Sequence, residues 1–287
     1  MFYPSPKIFP VPIIRSPNVE NCPKDKPFIL IIVVNMADQS GHRNSIRRSW
    51  AKQTNFKPVS LRNDVSWWVV FSIGTVDGTE DSLKKEQENY GDLLQGDFPD
   101  HPSEETRKTL LGFKWAAEQL PASCQPLLVL KTECTVFVNT PLLTKWITDQ
   151  MAQNTGIYAG KVIRGDVPIR DLRMSLQVPE LDYPRSTFPP FVQGPCYLLS
   201  MDVLTTMLTL VRVVTPIAME DAYIGLLAEK MDREPQNYDN FQVINRPKNQ
   251  CHYLEMLFIK TGKATVHHQI FMVVNHQKEE CLDKKDL

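Results

Sequence analysis

Residues 126–141 read Pro126-Leu127-Leu128-Val129-Leu130-Lys131-Thr132-Glu133-Cys134-Thr135-Val136-Phe137-Val138-Asn139-Thr140-Pro141. The apolar run from Pro126 to Leu130 reads as a buried strand, with Leu127 to Leu130 as its core. A polar turn follows, then the apolar Val136-Phe137-Val138 and Asn139. Pro141 suits the first residue of a helix, where a missing N–H costs nothing, and that helix runs from Leu142 to Met151. An acidic residue, Glu133, therefore stands at a strand end. In open sheets built of strands and crossover helices, ligands bind outside the carboxyl ends of the strands.

Working outward, Phe28 to Val34 is a continuous apolar run and hence a buried strand. A polar loop, Asp38 to Asn44, leads into a basic helix, Ser45 to Trp50. Trp67 to Ile73 is a second buried strand, closed by Gly74, and Asp81 to Tyr90 is helical in character. Ser103 is suited to cap a helix reaching Leu120, with Glu104 and Glu105 in its first turn and Leu110, Phe113 and Ala117 on its inner face. Ile157 to Ile163 reads as strand, Tyr197 to Ser200 as short and apolar, and Asp202 to Val211 and Glu220 to Met231 as helices. Ala264 to Asn275 reads as strand and loop. Strands and helices alternate, so the expected fold is α/β, a mostly parallel mixed sheet flanked by helices. One domain is expected over 28–287, preceded by an irregular Pro-rich arm, 1–27.

The chain has 287 residues and a formal net charge of −1, so no global field attracts nucleic acid or an anionic membrane. No segment approaches the roughly 20 apolar residues of a membrane span, and Met1 to Pro27 lacks the apolar core of a signal peptide. Taken literally, this describes a soluble cytosolic chain. Six cysteines are scattered without a Cys-x-x-Cys pair, which argues against a zinc site. They fit either a secreted fold with bridges or buried free thiols. There is no Asn-x-Ser/Thr acceptor.

Several segments carry chemistry if they meet. Arg43 and Arg47 lie four apart, on one helix face, and paired guanidinium groups suit phosphate oxygens. A solvated basic face would look the same. Tyr90 to Asp100 reads by itself as a surface turn. Phe188 to Tyr197 reads as a loop whose aromatics serve as satellite core or as a sugar-stacking face. Glu220-Asp221 puts two carboxylates at a helix start, where they also complement the helix dipole.

Together and in this order, these segments resemble the β-1,3-glycosyltransferase family of the animal Golgi, the galactosyl- and N-acetylglucosaminyltransferases. The family's R-x-x-I-R-x-T-W is matched from Arg43 to Trp50, with Ser49 for Thr, and its F-x-x-G from Phe71 to Gly74. Its E-x-x-x-Y-x-D-(I/L)-(I/L)-x-x-D-F-x-D block is matched from Glu86 to Asp100, followed by Thr106, Lys108, Thr109, Lys114 and Trp115. Its K-x-D-D-D-V-F-V-N aligns with Lys131 to Asn139, its P-x-Y/F-x-x-G-x-x-Y-x-(L/M)-S with Pro189 to Ser200, and its E-D-V-x-x-G with Glu220 to Gly225. The resemblance covers about Phe28 to Gly225 and thins beyond.

The resemblance implies a GT-A fold, a UDP-sugar donor, a Golgi type II membrane setting, and inversion at the anomeric carbon in one displacement. Asp221 matches the position of the base and Glu220 its orienting neighbour. Arg43, Arg47, Lys131 and Glu133 match donor-side positions. Where the family has three aspartates this chain has Glu133, Cys134 and Thr135, and a hard cation such as Mn²⁺ prefers carboxylate oxygen. Metal binding would then rest on Glu133 with His267 or His268. Otherwise Lys131, Arg43 and Arg47 would neutralise the leaving group. The expected activity is inverting transfer of galactose or N-acetylhexosamine from a UDP-sugar to a glycan on protein or lipid, with homo- or hetero-oligomers left open. The alternative is a silent member that binds glycan or assists an active glycosyltransferase. The chain would begin in the stem that follows the family's membrane anchor. Maturation in the Golgi makes Cys124 and Cys196, each flanking a proposed site strand, the expected oxidised pair.

Overall fold

In the computed structural model, which describes residues 11–56, 65–150, 154–171, 173–174, 176–245, 249 and 251–276, the run Phe28–Val34 is a strand buried along its whole length. In chain order the strands are β1 Ile13–Arg15, β2 Phe28–Val34, β3 Ser66–Thr75, β4 Leu93–Pro99, β5 Leu128–Glu133, β6 Val136–Val138, β7 Tyr158–Ile163, β8 Phe191–Ser200, β9 Gln236–Asn237 and β10 Phe258–Lys260. The helices are α1 Ser40–Arg47, α2 Glu80–Tyr90, α3 Glu105–Glu118, α4 Thr140–Gln150, α5 Met201–Leu210, α6 Glu220–Lys230 and α7 Ala264–His276.

Eight strands form one sheet in the order β1-β4-β3-β2-β5-β8-β7-β9. The block β4-β3-β2-β5 is parallel, and β8 runs antiparallel to β5. This is the expected α/β architecture, a mixed sheet flanked by helices. The two-residue period of β2 sorts the core. Leu30 and Ile32 face a layer with residues of α3, α5 and α6. Ile29, Ile31 and Val33 face a layer with residues of α1, α4 and α7. Beside the large sheet, β10 and β6 pair antiparallel as a two-stranded ribbon.

Several local expectations change. Residues 93–99, inside a segment expected to be a turn, form β4, because Leu93 and Leu94 are buried and Gln95 sends its amide to the Gly74 carbonyl. Residues 264–275, expected to be strand and loop, are helical. His267, Ile270, Phe271 and Val274 are buried at spacings of three and four. Ser103 does not cap α3. It lies in a single 3₁₀ turn, where His101 Nδ1 accepts its N–H. The basic helix begins five residues early, at Ser40. Met151, expected to end α4, lies outside the described residues.

The stretch expected to be an irregular arm enters the sheet, since Ile13 and Arg15 pair with Gly96 and Gln95 of β4. It is also bridged to the body by Cys22–Cys124, with Cα atoms 6.2 Å apart. That bond corrects the expected Cys124–Cys196 pair. Cys196 is a buried free thiol on β8, its Sγ 3.1 Å from Thr132 Oγ1. Cys251 is disulfide-bonded as well.

Candidate active site

The carboxyl ends of the parallel strands are tied together by Asp100, just beyond β4. Its Oδ2 accepts the N–H groups of Ala37 after β2 and of Gly74 in β3, at 2.8 and 2.9 Å, and its Oδ1 accepts Lys108 Nζ at 2.8 Å. One carboxylate thus braces three strand ends and α3. The candidate residues project from this edge.

Lys131, near the end of β5, is fully buried. Its Nζ donates to Glu105 Oε1 at 2.7 Å, to the Gly194 carbonyl at 2.9 Å and to Glu220 Oε2 at 2.9 Å. Burial alone would lower its pKa, but Glu105, Glu220 and Glu133 outweigh that and hold it well above the ordinary lysine value. Tyr197, directly across the ladder from Lys131, donates its hydroxyl to Glu220 Oε1. Burial raises the Glu220 carboxyl, Lys131 opposes, and Glu105 and Asp221 add repulsion, leaving it pushed up to about 7.

Asp221 is the more open member of the pair. The Gly194 N–H reaches its Oδ2 at 3.0 Å and the Ala222 N–H its Oδ1 at 2.9 Å. Burial lifts its pKa above the ordinary aspartate value, partly offset by Lys131 and these two N–H groups. The approach depends on two glycines. A Cβ on Gly194 would lie 3.1 Å from Asp221 Oδ2, and one on Gly225 would lie 2.5 Å from Phe191 Cβ, so α6 can press onto β8 only because both positions lack a side chain. Lys131, Glu220 and Asp221 therefore converge where β5, β8 and α6 meet.

Glu133 ends β5 with its side chain partly exposed. Its Oε2 accepts Lys260 Nζ at 3.1 Å and Thr135 Oγ1 at 3.2 Å. Burial would raise its pKa, but Lys131, Lys260 and Thr135 outweigh it and hold the group below the ordinary glutamate value. Cys134 is buried with Sγ 3.4 Å from Gln39 Oε1, and burial pushes its thiol up, so it stays neutral.

His267 is not a free ligand. Its Nδ1 accepts Trp50 Nε1 at 3.1 Å, so Nε2 carries the proton and donates to the Cys134 carbonyl at 2.9 Å, with Thr261 Oγ1 also at 3.2 Å. Burial drops its pKa to about 4. His268 is exposed on α7 beside the Phe271 ring and makes no bond to Glu133 among the described residues. What stands at 133–135 is one ion-paired carboxylate, a neutral thiol and a hydroxyl. This set does not fit a hard divalent cation. Among the described residues no group of three His, Cys, Asp or Glu is placed to hold a metal ion.

Arg43 and Arg47 also fall outside the donor role expected of them. Arg43 is fully buried and spends all five N–H donors: Nε and Nη2 on the two Glu86 oxygens, both at 2.7 Å, Nη1 on Asn35 Oδ1 and the Met36 carbonyl, Nη2 also on the Ala37 carbonyl. Arg47 grips Asp92 through two nitrogens and Glu86 through Nη2, lying over the Tyr90 and Phe71 rings. Phe71 packs in the α1 layer and Tyr197 in the α3 layer, so the sheet separates the arginine cluster from Lys131. Arg43 fixes the loop after β2, and Arg47 ties α1 to Glu86 of α2 and to Asp92 ahead of β4.

Sequence reasoning passed over Glu105, Tyr197, Asp100 and Lys260. Glu105 reads as a first-turn dipole partner, and Tyr197 as satellite core or part of a sugar-stacking face. Asp100 ended a segment taken for a turn. Lys260 follows the short apolar pair Phe258-Ile259 beyond Gly225, where no motif drew attention to it.

A family model described as galactosyltransferase matches residues 41–239. Beta-1,3-galactosyltransferase 5 of Mus musculus is 29% identical over 225 residues, 78% of this chain and 70% of that protein. Beta-1,3-galactosyltransferase 1 of Homo sapiens is 27% identical over 269 residues, 93% of this chain and 79% of that protein. Among solved structures, a glycosyltransferase involved in the glycosylation of the PBCV-1 major capsid superposes with a TM-score of 0.44 at 11% identity, covering 85% of this chain and 99% of that one.

Proposed function

The chain belongs to the galactosyltransferase family, and from that premise we propose that it is an inverting β-1,3-hexosyltransferase moving galactose or N-acetylhexosamine from a UDP-sugar to a glycan on protein or lipid. In this reading Asp221 is the general base. It takes the proton of the acceptor hydroxyl as that oxygen bonds to the anomeric carbon. The bond from that carbon to the diphosphate oxygen breaks on the opposite face, and UDP leaves with the electron pair. The observation that carries the reading is the Asp221 carboxylate itself. Two backbone N–H groups fix its direction beside Gly194, and its raised pKa suits proton acceptance nearer neutrality. Glu220 is a positioning residue, locked by Lys131 and Tyr197.

We further place the chain in the Golgi lumen. Its bridged cysteines support an oxidising compartment, and among the described residues no helix is long and apolar enough to cross a membrane. The test is UDP release with a panel of UDP-sugars. Turnover by the native chain, and loss of at least about a hundredfold in kcat for Asp221→Asn with UDP affinity nearly unchanged, is the expected result. Full turnover by that variant would overturn the base assignment. A rival reading, a silent member serving as a partner, is favoured by the lone ion-paired carboxylate at 133–135. It expects UDP binding with no turnover on any donor.

A further inference from the structure

The cations that the sequence brought forward are already engaged. Arg43 and Lys131 have every N–H donor occupied, and Arg47 is clamped between Asp92 and Glu86. Lys260 is placed differently. Its backbone is held on both sides. Lys260 pairs with Val136 across the ribbon, its own N–H reaches the Ile244 carbonyl at 2.9 Å, and Thr261 closes on the Thr135 carbonyl through N and Oγ1 at 2.8 and 2.9 Å. From that fixed base the ammonium extends to Glu133 Oε2 at 3.1 Å, with side chains 37% and 26% exposed. One of its three N–H donors is used there.

The formal charge of this cluster is zero: Lys260 cancels Glu133, while Cys134 and Thr135 are neutral. A diphosphate arriving at Glu133 therefore meets an ion pair with no net charge of its own and finds an ammonium with donors to spare. We propose that Lys260 fills the role of a divalent cation at this strand end, donating to the diphosphate of the bound nucleotide and neutralising the charge that grows as it departs. The electron pair of the broken bond goes to the diphosphate oxygen. The site thus takes nucleoside diphosphates without a metal. This inference rests on the glycosyltransferase reading above.

The experiment is calorimetric titration of the full chain with UDP, in EDTA and in Mn²⁺. The unmodified protein should bind UDP in EDTA, and Mn²⁺ should change the affinity by less than about threefold. Lys260→Met, which keeps the aliphatic stem, should weaken binding roughly tenfold to a hundredfold, the scale of a lost charge-assisted hydrogen bond, and Lys260→Arg should retain most of it. Glu133→Gln gives the opposite sign. It frees the ammonium and should tighten UDP in EDTA, whereas a carboxylate-held metal would make the same change weaken UDP in Mn²⁺. Binding that appears only with Mn²⁺, or that ignores Lys260→Met, overturns the proposal and leaves the transferase reading standing. No UDP binding by the unmodified chain in either buffer overturns both.

Discussion

Between the Trp50 indole and the Cys134 carbonyl, the His267 ring has room for one proton only, because a second would point Nδ1–H at the indole N–H. Its folded pKa of about 4 lies below the ordinary 6.5. In the window between those values the unfolded chain takes up a proton that the folded chain refuses. The stabilisation from a neutral His267 is therefore complete above the unfolded value and is lost as pH falls through 6.5 toward 4. The amount is roughly 3 kcal/mol at most. Denaturant titrations at pH 7.5 and 4.5 should show this loss in the native chain and a clearly smaller one in His267→Gln, which keeps an amide donor and acceptor. An unchanged difference between the two pH values would refute it. The sequence presents His267 as a candidate metal ligand, since nothing local reveals that Trp50, 217 residues away, donates to it.

Elements with a single strong period were legible: the unbroken apolar β2 has the same bounds in sequence and structure. Those with mixed signals were not. In α7 the β-branched Thr265, Val266, Ile270, Val273 and Val274 suggested a strand, while the three-and-four spacing of its buried residues pointed to a helix. In β4, Gln95, Gly96 and Asp97 interrupt the apolar run, and partners on both sides supply the order that composition lacks. The candidate site depends on one element contact above others, that of α6 on β8. Gly225→Ala would drive a methyl into Phe191, costing about 1–3 kcal/mol of stability and backing the α6 start away from Gly194. Transfer should fall more than UDP affinity, since Asp221 moves and Lys260 does not. Equal losses in both would mean that α6 does not set the base.

For the molecule as a whole, the Cys22–Cys124 bond closes a loop with a sequence separation of 102 residues and pins the first strand's segment to the turn ahead of β5. Replacing both cysteines by serine should cost roughly 2–5 kcal/mol by denaturant unfolding under non-reducing conditions. A cost below about 1 kcal/mol would show that β1 pairing alone holds that edge. The α/β layering was readable from alternation, because burying two faces of a sheet leaves few other arrangements. Which cysteines meet was not, since long-range pairing leaves no local trace. The arginine cluster carries a further consequence. Arg43 and Arg47 belong to a readily recognised segment of the chain, yet their donors are spent inside the fold, on Glu86, Asp92 and the loop after β2. That segment is engaged in holding the fold, while in the proposed reading residues 133–135 face the nucleotide. A census of working enzymes drawn up from the arginine signature would therefore count chains by their ability to fold, and would need the residues at 133–135 and 260 to say how, or whether, each one holds its nucleotide.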